Sequence, residues 1–210
     1  MDEFIIKDGK KLRLGFTTGT CATAASKAAT IMLLTDEKLD SVSVDLPKGK
    51  KLEIALQSCE LKAGIATCCV KKFSGDDPYV TNGILVYSSV KFNNDGNINI
   101  DGGKGVGTVT KKGLDCPVGG AAINSMPRKM ITNNVNQLLE DFSCEKGVDV
   151  LIEVPEGEEI AKRTFNSHLG IIGGISIIGT SGIVEPMSKK ALVDSLKIEM
   201  NVIKEKSILK

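Results

Sequence analysis

Large apolar residues alternate with polar ones in two neighbouring stretches near the start of the chain. Every second residue is Val, Leu or Ile from position 42 to 46 and again from 52 to 56. Alternation of this kind is typical of strands that bury one face. Because the turn-forming segment Pro47–Lys50 lies between the two stretches, the pattern predicts a β-hairpin.

Further strands are predicted at residues 65–73 and 84–92, with the turn-rich segment 74–78 between them. Another hairpin turn is predicted at Asn93–Asn97, where an Asp-Gly pair separates two strand-like stretches. These ranges favour a sheet that is mixed or antiparallel.

Two segments have the composition or the spacing of helices. Thr17–Cys21 is followed by an alanine-rich run; alanine is the best helix former, and hydroxyl side chains are good N-caps. So many small residues predict close packing against a sheet or another helix. Pro127 suits the first turn of a second helix. The apolar residues of this second helix recur at helical spacing, at Ile131, Val135, Leu138, Leu139 and Phe142.

The pattern changes after Gly147. Residues 148–154 and 171–178 are nearly continuous apolar strands, and helices are predicted at 155–165 and from Ser188 onward. The order strand, helix, strand, helix is typical of a parallel α/β sheet. The last helix has an apolar stripe that consists of Leu192, Leu196, Met200 and Ile203.

The sequence therefore predicts two domains with a boundary near Lys146. Residues 1–146 are expected to form an α+β domain with a mixed or antiparallel sheet, packed helices and Thr/Gly-rich loops. Residues 147–210 are expected to begin a parallel α/β (βαβα) domain. Two parallel strands make a poor independent sheet. Either further chain is missing after Lys210, or residues 148–210 dock onto the first domain.

Composition argues against several classes of protein. Lys and Arg number 27 against 26 acids, a net charge of +1, so no overall field attracts nucleic acid. We find neither a signal-peptide pattern nor an apolar run long enough to span a membrane, and we expect a cytoplasmic protein. Six cysteines without a CxxC pair and a single histidine, His168, make a metal site unexpected. In a reducing compartment these thiols are expected to be small buried hydrophobes.

Charge is uneven between Gly102 and Ile131. This stretch contains five basic residues and one acidic residue, Asp115. Such a cluster suits an anionic ligand, but it is also what a solvated basic face looks like, and the sequence leaves both open. The five basic residues are Lys104, Lys111, Lys112, Arg128 and Lys129.

Three loops are rich in glycine or threonine: Thr17–Thr20, Gly102–Gly107 and Gly179–Gly182. Glycines permit close approach of the backbone, and free N–H groups at a helix start favour anions. The threonines are equally good as helix caps. A kinase-like, phosphate-cradling role for Gly102–Gly107 is a weaker alternative, because no Lys-Ser/Thr pair follows it.

In order, these segments resemble four blocks of the cobalt-precorrin-5B C1-methyltransferase family. The match extends over almost the whole chain. Two departures stand out, since the family usually has Asp where this chain has Tyr79 and continues through a substantial further C-terminal stretch. The four blocks are Leu12–Ala22, Gly75–Gly83, Gly102–Arg128 and Val154–Ser188.

The resemblance implies transfer of a methyl group from S-adenosylmethionine to C1 of cobalt-precorrin-5B, which gives cobalt-precorrin-6A. This reaction belongs to oxygen-independent cobalamin biosynthesis. The alternative is a non-catalytic corrinoid-binding fragment that lacks a complete cofactor site. The tetrapyrrole substrate carries many carboxylate arms, so its site is expected to present basic side chains and backbone N–H groups.

Candidate site residues follow from these blocks. We expect Asp76 and Asp77 to be catalytic, orienting a ring nitrogen or the adenosyl amino group, although an Asx turn explains them equally well. By analogy with α/β sheets, the methyl donor is expected at Gly179, Thr180, Ser181 and Gly182. His168 is as readily a surface residue as a catalyst. The residues expected to bind substrate are Arg13, Thr17, Thr18, Lys104, Arg128 and Arg163.

Overall fold

The computed structural model describes residues 3–208, except for the side chains of Lys48 and of residues 206–208. Its helices are α1 (Thr18–Thr35), α2 (Ser125–Asp141), α3 (Gly157–Ala161), α4 (Asn166–Leu169) and α5 (Lys189–Ile208), with a 3₁₀ turn at Pro47–Gly49. Its strands are β1 (Phe4–Lys7), β2 (Lys10–Arg13), β3 (Gly15–Phe16), β4 (Ser41–Asp45), β5 (Lys51–Ala55), β6 (Ser58–Lys62), β7 (Ile65–Lys71), β8 (Leu85–Asn93), β9 (Ile98–Gly102), β10 (Gly105–Val106), β11 (Thr108–Val109), β12 (Gly147–Glu153), β13 (Ile171–Ile172), β14 (Gly174–Ile175) and β15 (Ile183–Val184).

The central sheet has the strand order β6-β7-β8-β12-β9. Adjacent strands within this sheet run antiparallel, except that β12 and β9 are parallel to each other. Helix α1 packs against β7 and β8, with α2 beside it. Ala24, Ala25, Ala28 and Ala29 of α1 are fully buried, because methyl side chains let the helix approach its neighbours closely. The small-residue run thus packs as the sequence predicts.

Several local predictions are confirmed. Strands β4 and β5 form the predicted hairpin. Thr17 is the N-cap of α1, and its Oγ1 accepts a hydrogen bond from the Thr20 N–H at 3.1 Å. Helix α2 begins two residues before the predicted Pro127, because the Asp115 carboxylate accepts from the Ser125 N–H at 2.7 Å and caps the first turn. The chain therefore specifies these elements locally.

The hairpin predicted at Asn93–Asn97 is wrong, because β12 lies between β8 and β9. Gly147, the first residue of β12, passes so close to this turn that a Cβ there would lie 2.3 Å from the Asn97 carbonyl oxygen. Asn93 and Asn99 both donate to the Asp149 carboxylate of β12, at 2.9 Å each. Side-chain amides at the end of β8 and in β9 thus hold the inserted strand.

The predicted parallel βαβα unit is also wrong. Strand β12 is where the sequence predicts it, but its partners β8 and β9 precede Lys146 in the chain. The segment 171–178 is broken at Gly173 into β13 and β14, which pair with β11 and β10 instead of β12. The fold is mixed α/β with a mostly antiparallel sheet. A domain boundary near Lys146 stays a prediction, and it would separate strands that are paired with each other.

Two of the six cysteines form a disulfide, contrary to the expectation of reduced thiols. Cys59 on β6 and Cys68 on β7 are directly opposite each other, with Cα atoms 4.2 Å apart. Facing residues of an antiparallel pair lie close enough for this bond. The sequence patterns did not predict β6, so they could not predict that these two residues face each other.

Candidate functional site

Three segments that lie far apart in sequence meet at one place, which we call the loop junction: residues 13–20, 72–77 and 176–187. Strand β3 pairs with β15, and the Phe16 N–H donates to the Phe73 carbonyl at 2.8 Å. A Cβ on Gly15 would lie 2.2 Å from the Ser74 carbonyl carbon, so the first two segments touch through their backbones. Parts of three of the four family blocks therefore converge.

Arg13 and Asp76 bind each other through four contacts. The Arg13 N–H donates to Asp76 Oδ2 at 2.8 Å, and the Asp76 N–H donates back to the Arg13 carbonyl at 3.1 Å. Nε and Nη2 of the guanidinium both lie 3.0 Å from Asp76 Oδ1. Hydrogen bonds from the Arg13 backbone and then from its side chain lower the pKa of Asp76. The Asp76 carboxylate thus binds Arg13 through both of its oxygens, while the Arg13 side chain remains half exposed.

Asp77 has the opposite environment. Burial raises its pKa, which the Met187 N–H and the nearby Lys72 and Lys7 side chains partly offset. The Met187 N–H donates to Asp77 Oδ2 at 3.2 Å, which ties the turn to the segment before α5. Of the two adjacent carboxyl groups, Asp77 is therefore the one that more readily carries a proton.

Lys72 is buried at the base of the loop junction, with 4% of its surface exposed. Its Nζ donates to the Ser74 hydroxyl. Burial lowers the pKa of this amine, and the neighbouring Cys21 and Asp77 partly oppose the shift. Burial likewise raises the pKa of the Cys21 thiol to about 12. The sequence motifs do not single out Lys72, although the alternation of buried residues in β7 extends to it.

Replacing Lys72 by Met tests this burial through its pH dependence. The amine's pKa is lower in the folded than in the unfolded chain, so the unfolded chain binds more protons between the two pKa values and wild-type stability rises with pH there. At pH 7 we expect Lys72→Met to be at least as stable as wild type, because no charge needs to be desolvated. Its advantage should shrink toward pH 10, just below the ordinary lysine pKa of 10.5, measured by urea unfolding at pH 7 and pH 10.

The exposed neighbour Lys71 provides the matched control. Lys71→Met should differ from wild type by a constant amount, within about 0.5 kcal/mol, at both pH values. Cys21 and Asp77 face Lys72 and titrate in both proteins, so their contributions largely cancel in the difference. An advantage of Lys72→Met that stays flat or grows with pH would contradict a buried amine.

Most N–H groups at the start of α1 already make hydrogen bonds inside the protein. The Gly19 N–H donates to the Ile178 carbonyl at 2.9 Å, and the Thr17 N–H to the Gly182 carbonyl at 3.1 Å. The Thr18 hydroxyl accepts from the Ile178 N–H at 2.9 Å. These contacts bring two of the threonine- and glycine-rich loops together, as capping and packing groups. They leave fewer donors for an anion than a free helix start would offer.

The segment expected to bind the methyl donor is packed on the same helix start. The Cα atoms of Gly179 and Gly182 lie against Thr17 and Leu46, where a Cβ would clash, so these glycines do not form an open cradle. Thr180 and Ser181 are exposed. The analogy that placed the donor here assumed a parallel α/β sheet, and that premise is wrong. Binding of the methyl donor at Gly179–Gly182 stays a prediction, with Thr180 and Ser181 as the exposed groups of that segment.

Arg128 is built into the protein framework. Its Nε donates to the Ile123 carbonyl at 2.9 Å and its Nη1 to the Ile100 carbonyl at 2.7 Å. The guanidinium therefore links the start of α2 to β9. A role as a substrate ligand stays a prediction, with fewer N–H groups left to serve it.

Gly102–Gly107 also has a packing role. A Cβ on Gly105 would lie 1.8 Å from the Val154 carbonyl oxygen, and Gly157 and Gly174 press against Gly105 from the other strand and helix. Lys104 is exposed at the edge of this contact, and Arg163 is exposed after α3. Neither is part of the loop junction. The glycines allow backbone segments to approach each other closely. The loop is therefore not open, as a phosphate-cradling role would require.

Other site types find no support in the part of the chain that the structure describes. Residues 3–208 contain no group of three His, Cys, Asp or Glu side chains that could hold a metal ion. No helix within the same range has the length and apolar character to cross a membrane. An open depression near the end of α2, lined by Ile98, Leu139 and Lys146 among others, includes none of the predicted site residues.

The chain is similar to proteins of known name. The sequence model of the CbiD family matches residues 5–186. The cobalt-precorrin-5B C(1)-methyltransferase of Alkaliphilus metalliredigens is 50% identical over 99% of this chain and 54% of its own length. That of Priestia megaterium is 50% identical over 94% of this chain and 54% of its own. The chain thus spans about half the length of these relatives.

A solved structure supports the same relationship. The cobalamin biosynthesis protein (cbiD) from Archaeoglobus fulgidus superposes with a TM-score of 0.68 and is 38% identical. The superposition covers 94% of this chain and 63% of the solved one. The described fold and the sequence matches therefore point to the same group of proteins.

Proposed function

Because this chain belongs to the CbiD family, we propose that it transfers a methyl group from S-adenosylmethionine to C1 of cobalt-precorrin-5B. The product would be cobalt-precorrin-6A, in oxygen-independent cobalamin biosynthesis. Relatives that carry the name cobalt-precorrin-5B C(1)-methyltransferase support the reaction and its substrate. The observation that carries the proposal is the loop junction, where parts of three family blocks meet around Arg13, Asp76 and Asp77. The cytoplasmic location expected from the sequence stays a prediction.

Methyl transfer of this kind is mainly a problem of alignment. A bond forms between the macrocycle carbon and the methyl group while the carbon–sulfur bond breaks, and its electron pair stays on sulfur. Alignment of the two reactants can contribute about 7–11 kcal/mol. The protein therefore needs to hold and orient its two reactants, without a nucleophilic side chain of its own.

Arg13 is the group we propose for a carboxylate arm of the tetrapyrrole. Asp76 fixes the guanidinium through Nε and Nη2, so the half-exposed side chain is held in one orientation. A guanidinium has five N–H donors, and those turned away from Asp76 can meet a carboxylate. Exposed Lys104 and Arg163 are proposed for further arms, and Thr17, Thr18 and Arg128 as weaker contacts.

Asp77 is the group we propose to act closest to the chemistry. Its partly buried carboxyl holds a proton more readily than that of Asp76. It can therefore form a hydrogen bond with a ring nitrogen of the tetrapyrrole or with the amino group of the methyl donor. The exposed Thr180 and Ser181 are proposed contacts for polar groups of the methyl donor. Gly179 and Gly182 are proposed to lie beside the donor through their backbone, because they are packed against Thr17 and Leu46, respectively, and offer no side chain.

Label transfer tests the proposal. The chain, and a chimera that joins it to the remainder of the A. metalliredigens relative, are incubated with cobalt-precorrin-5B and S-adenosylmethionine labelled in the methyl group. We expect the tetrapyrrole to gain one labelled methyl at C1 with at least one of the two proteins, detected by mass spectrometry. Tetrapyrrole binding without label transfer by either protein would mean that the function is corrinoid binding alone.

A further inference from the structure

One face of α5 carries a stripe of large apolar side chains that face solvent. Leu192, Val193, Leu196 and Met200 are 48–68% exposed. At about 100° per residue, the four positions fall within roughly 100° of one another around the helix axis. We call these four residues the α5 stripe. The sequence pattern predicts the helix and its apolar side, but the structure leaves that side uncovered.

A different face anchors the helix. Ser188 caps the first turn, with its Oγ accepting from the Ala191 N–H at 3.3 Å. Val202 is buried, and its backbone lies against Gly113, where a Cβ would be 3.0 Å from the Val202 Cα. The α5 stripe is therefore directed away from the surface on which α5 rests.

Leaving these side chains in water is costly. Moving a Leu, Val or Met side chain from water into an apolar environment is favourable, roughly in proportion to the apolar area that is buried. Contiguous exposed apolar groups on a protein mark interaction surfaces more often than scattered ones do. The stripe is therefore suited to an apolar counter-surface.

The length of the relatives indicates what this counter-surface belongs to. The family model matches only as far as residue 186, and the curated relatives are nearly twice as long as the region they share with this chain. Helix α5 carries five lysines against three acids, which is far from the strongly basic face that anionic membranes attract. A polypeptide with an apolar face fits the stripe better than a lipid surface does.

We propose that the α5 stripe is the docking surface for the polypeptide that forms the rest of the relatives' length. That polypeptide packs its own apolar face on Leu192, Val193, Leu196 and Met200, whether or not it is covalently continuous with this chain. The inference concerns assembly, so it holds or fails independently of methyl transfer.

The test uses the A. metalliredigens relative. Its residues that have no counterpart in this chain are co-expressed with the 210-residue chain, which carries an affinity tag. We expect a one-to-one complex after size-exclusion chromatography. Leu196→Glu and Met200→Glu should each weaken the affinity at least tenfold. The matched control Lys197→Glu, on the polar side of α5, should change the affinity less than twofold.

A covalent chimera gives a second measurement that does not need the separate segment to fold. Amide hydrogen exchange of α5 should slow at least tenfold in the chimera relative to the 210-residue chain, and the Met200→Glu chimera should lose this protection. Equal exchange rates in both proteins would overturn the proposal. Self-association of the 210-residue chain that Leu196→Glu abolishes would overturn it as well, because the occupant would then be a second copy.

Discussion

Gly105→Ala should lower the free energy of unfolding by about 4 kcal/mol, near the upper end for a single substitution. Two physical effects add. Gly105 has φ +75°, a left-handed conformation that costs an alanine about 1–2 kcal/mol. The new Cβ would also lie 1.8 Å from the Val154 carbonyl oxygen, so β10 and the end of β12 would have to move apart. Urea unfolding at neutral pH measures the loss.

Gly96 is the matched control, because it shares the conformation without the contact. Its φ is +74°, and a Cβ there meets no atom within 4 Å. Gly96→Ala should therefore cost only the conformational part, about 1–2 kcal/mol. Equal losses for the two variants would show that the backbone contact at Gly105 contributes nothing to stability.

Arg128→Ala should cost about 3 kcal/mol of unfolding free energy. Hydrogen bonds from a charged group are worth about 1.5–3 kcal/mol each, and the partly buried guanidinium donates two of them to backbone carbonyls. Their loss leaves the Ile100 and Ile123 carbonyls without these donors and loosens α2 from β9. Urea unfolding of the variant measures the effect in the absence of any ligand.

Two further variants separate geometry from charge. Lys129→Ala removes an exposed positive charge next in sequence and should change stability by less than about 0.5 kcal/mol. Arg128→Lys keeps the charge but cannot reproduce the two-pronged geometry, so we expect most of the loss to remain. If Arg128→Ala were as stable as wild type and only ligand binding fell, Arg128 would be a ligand-binding residue and not a framework residue.

Patterns that depend on near neighbours in sequence predicted most of the local structure. Alternation predicted β4 and β5, alanine content with a threonine cap predicted α1, and helical spacing predicted α2. The position of β12 was also evident from its continuous apolar run. Each of these signals comes from a few consecutive residues, because the periodicity and the capping of an element depend on residues inside it or next to it.

Choice of partner strand could not be predicted in the same way. Nothing in the sequence near Asn93–Asn97 distinguishes a closed hairpin from a turn that admits a third strand, and Gly147 gains its meaning only from the carbonyl that lies against it. Residues 171–178 were equally apolar in either arrangement. Pairing depends on contacts between distant segments, which periodicity does not contain.

The candidate site shows the same division. Resemblance to a family brought the segments around Arg13 and Asp76 to attention, and the structure places the two residues in direct contact. The resemblance gave no reason to expect that amides at the start of α1 already make hydrogen bonds within the protein, or that Arg128 donates hydrogen bonds to backbone carbonyls. Lys72 was within reach of the sequence, since it continues the buried positions of β7, but a lysine on a buried face is easily passed over.

The insertion of β12 between β8 and β9 has a consequence for how the chain acquires its structure during synthesis. Strands β6, β7 and β8 can pair with one another in the order in which they leave the ribosome. Strand β9 emerges long before β12, its neighbour in the sheet, so it must wait or pair temporarily with β8 across the Asp95-Gly96 turn. Any such early partnership has to open again to admit β12, and long-range pairing of this kind is slow. The nascent sheet is therefore exposed to competing pairings until α2 and β12 have been translated.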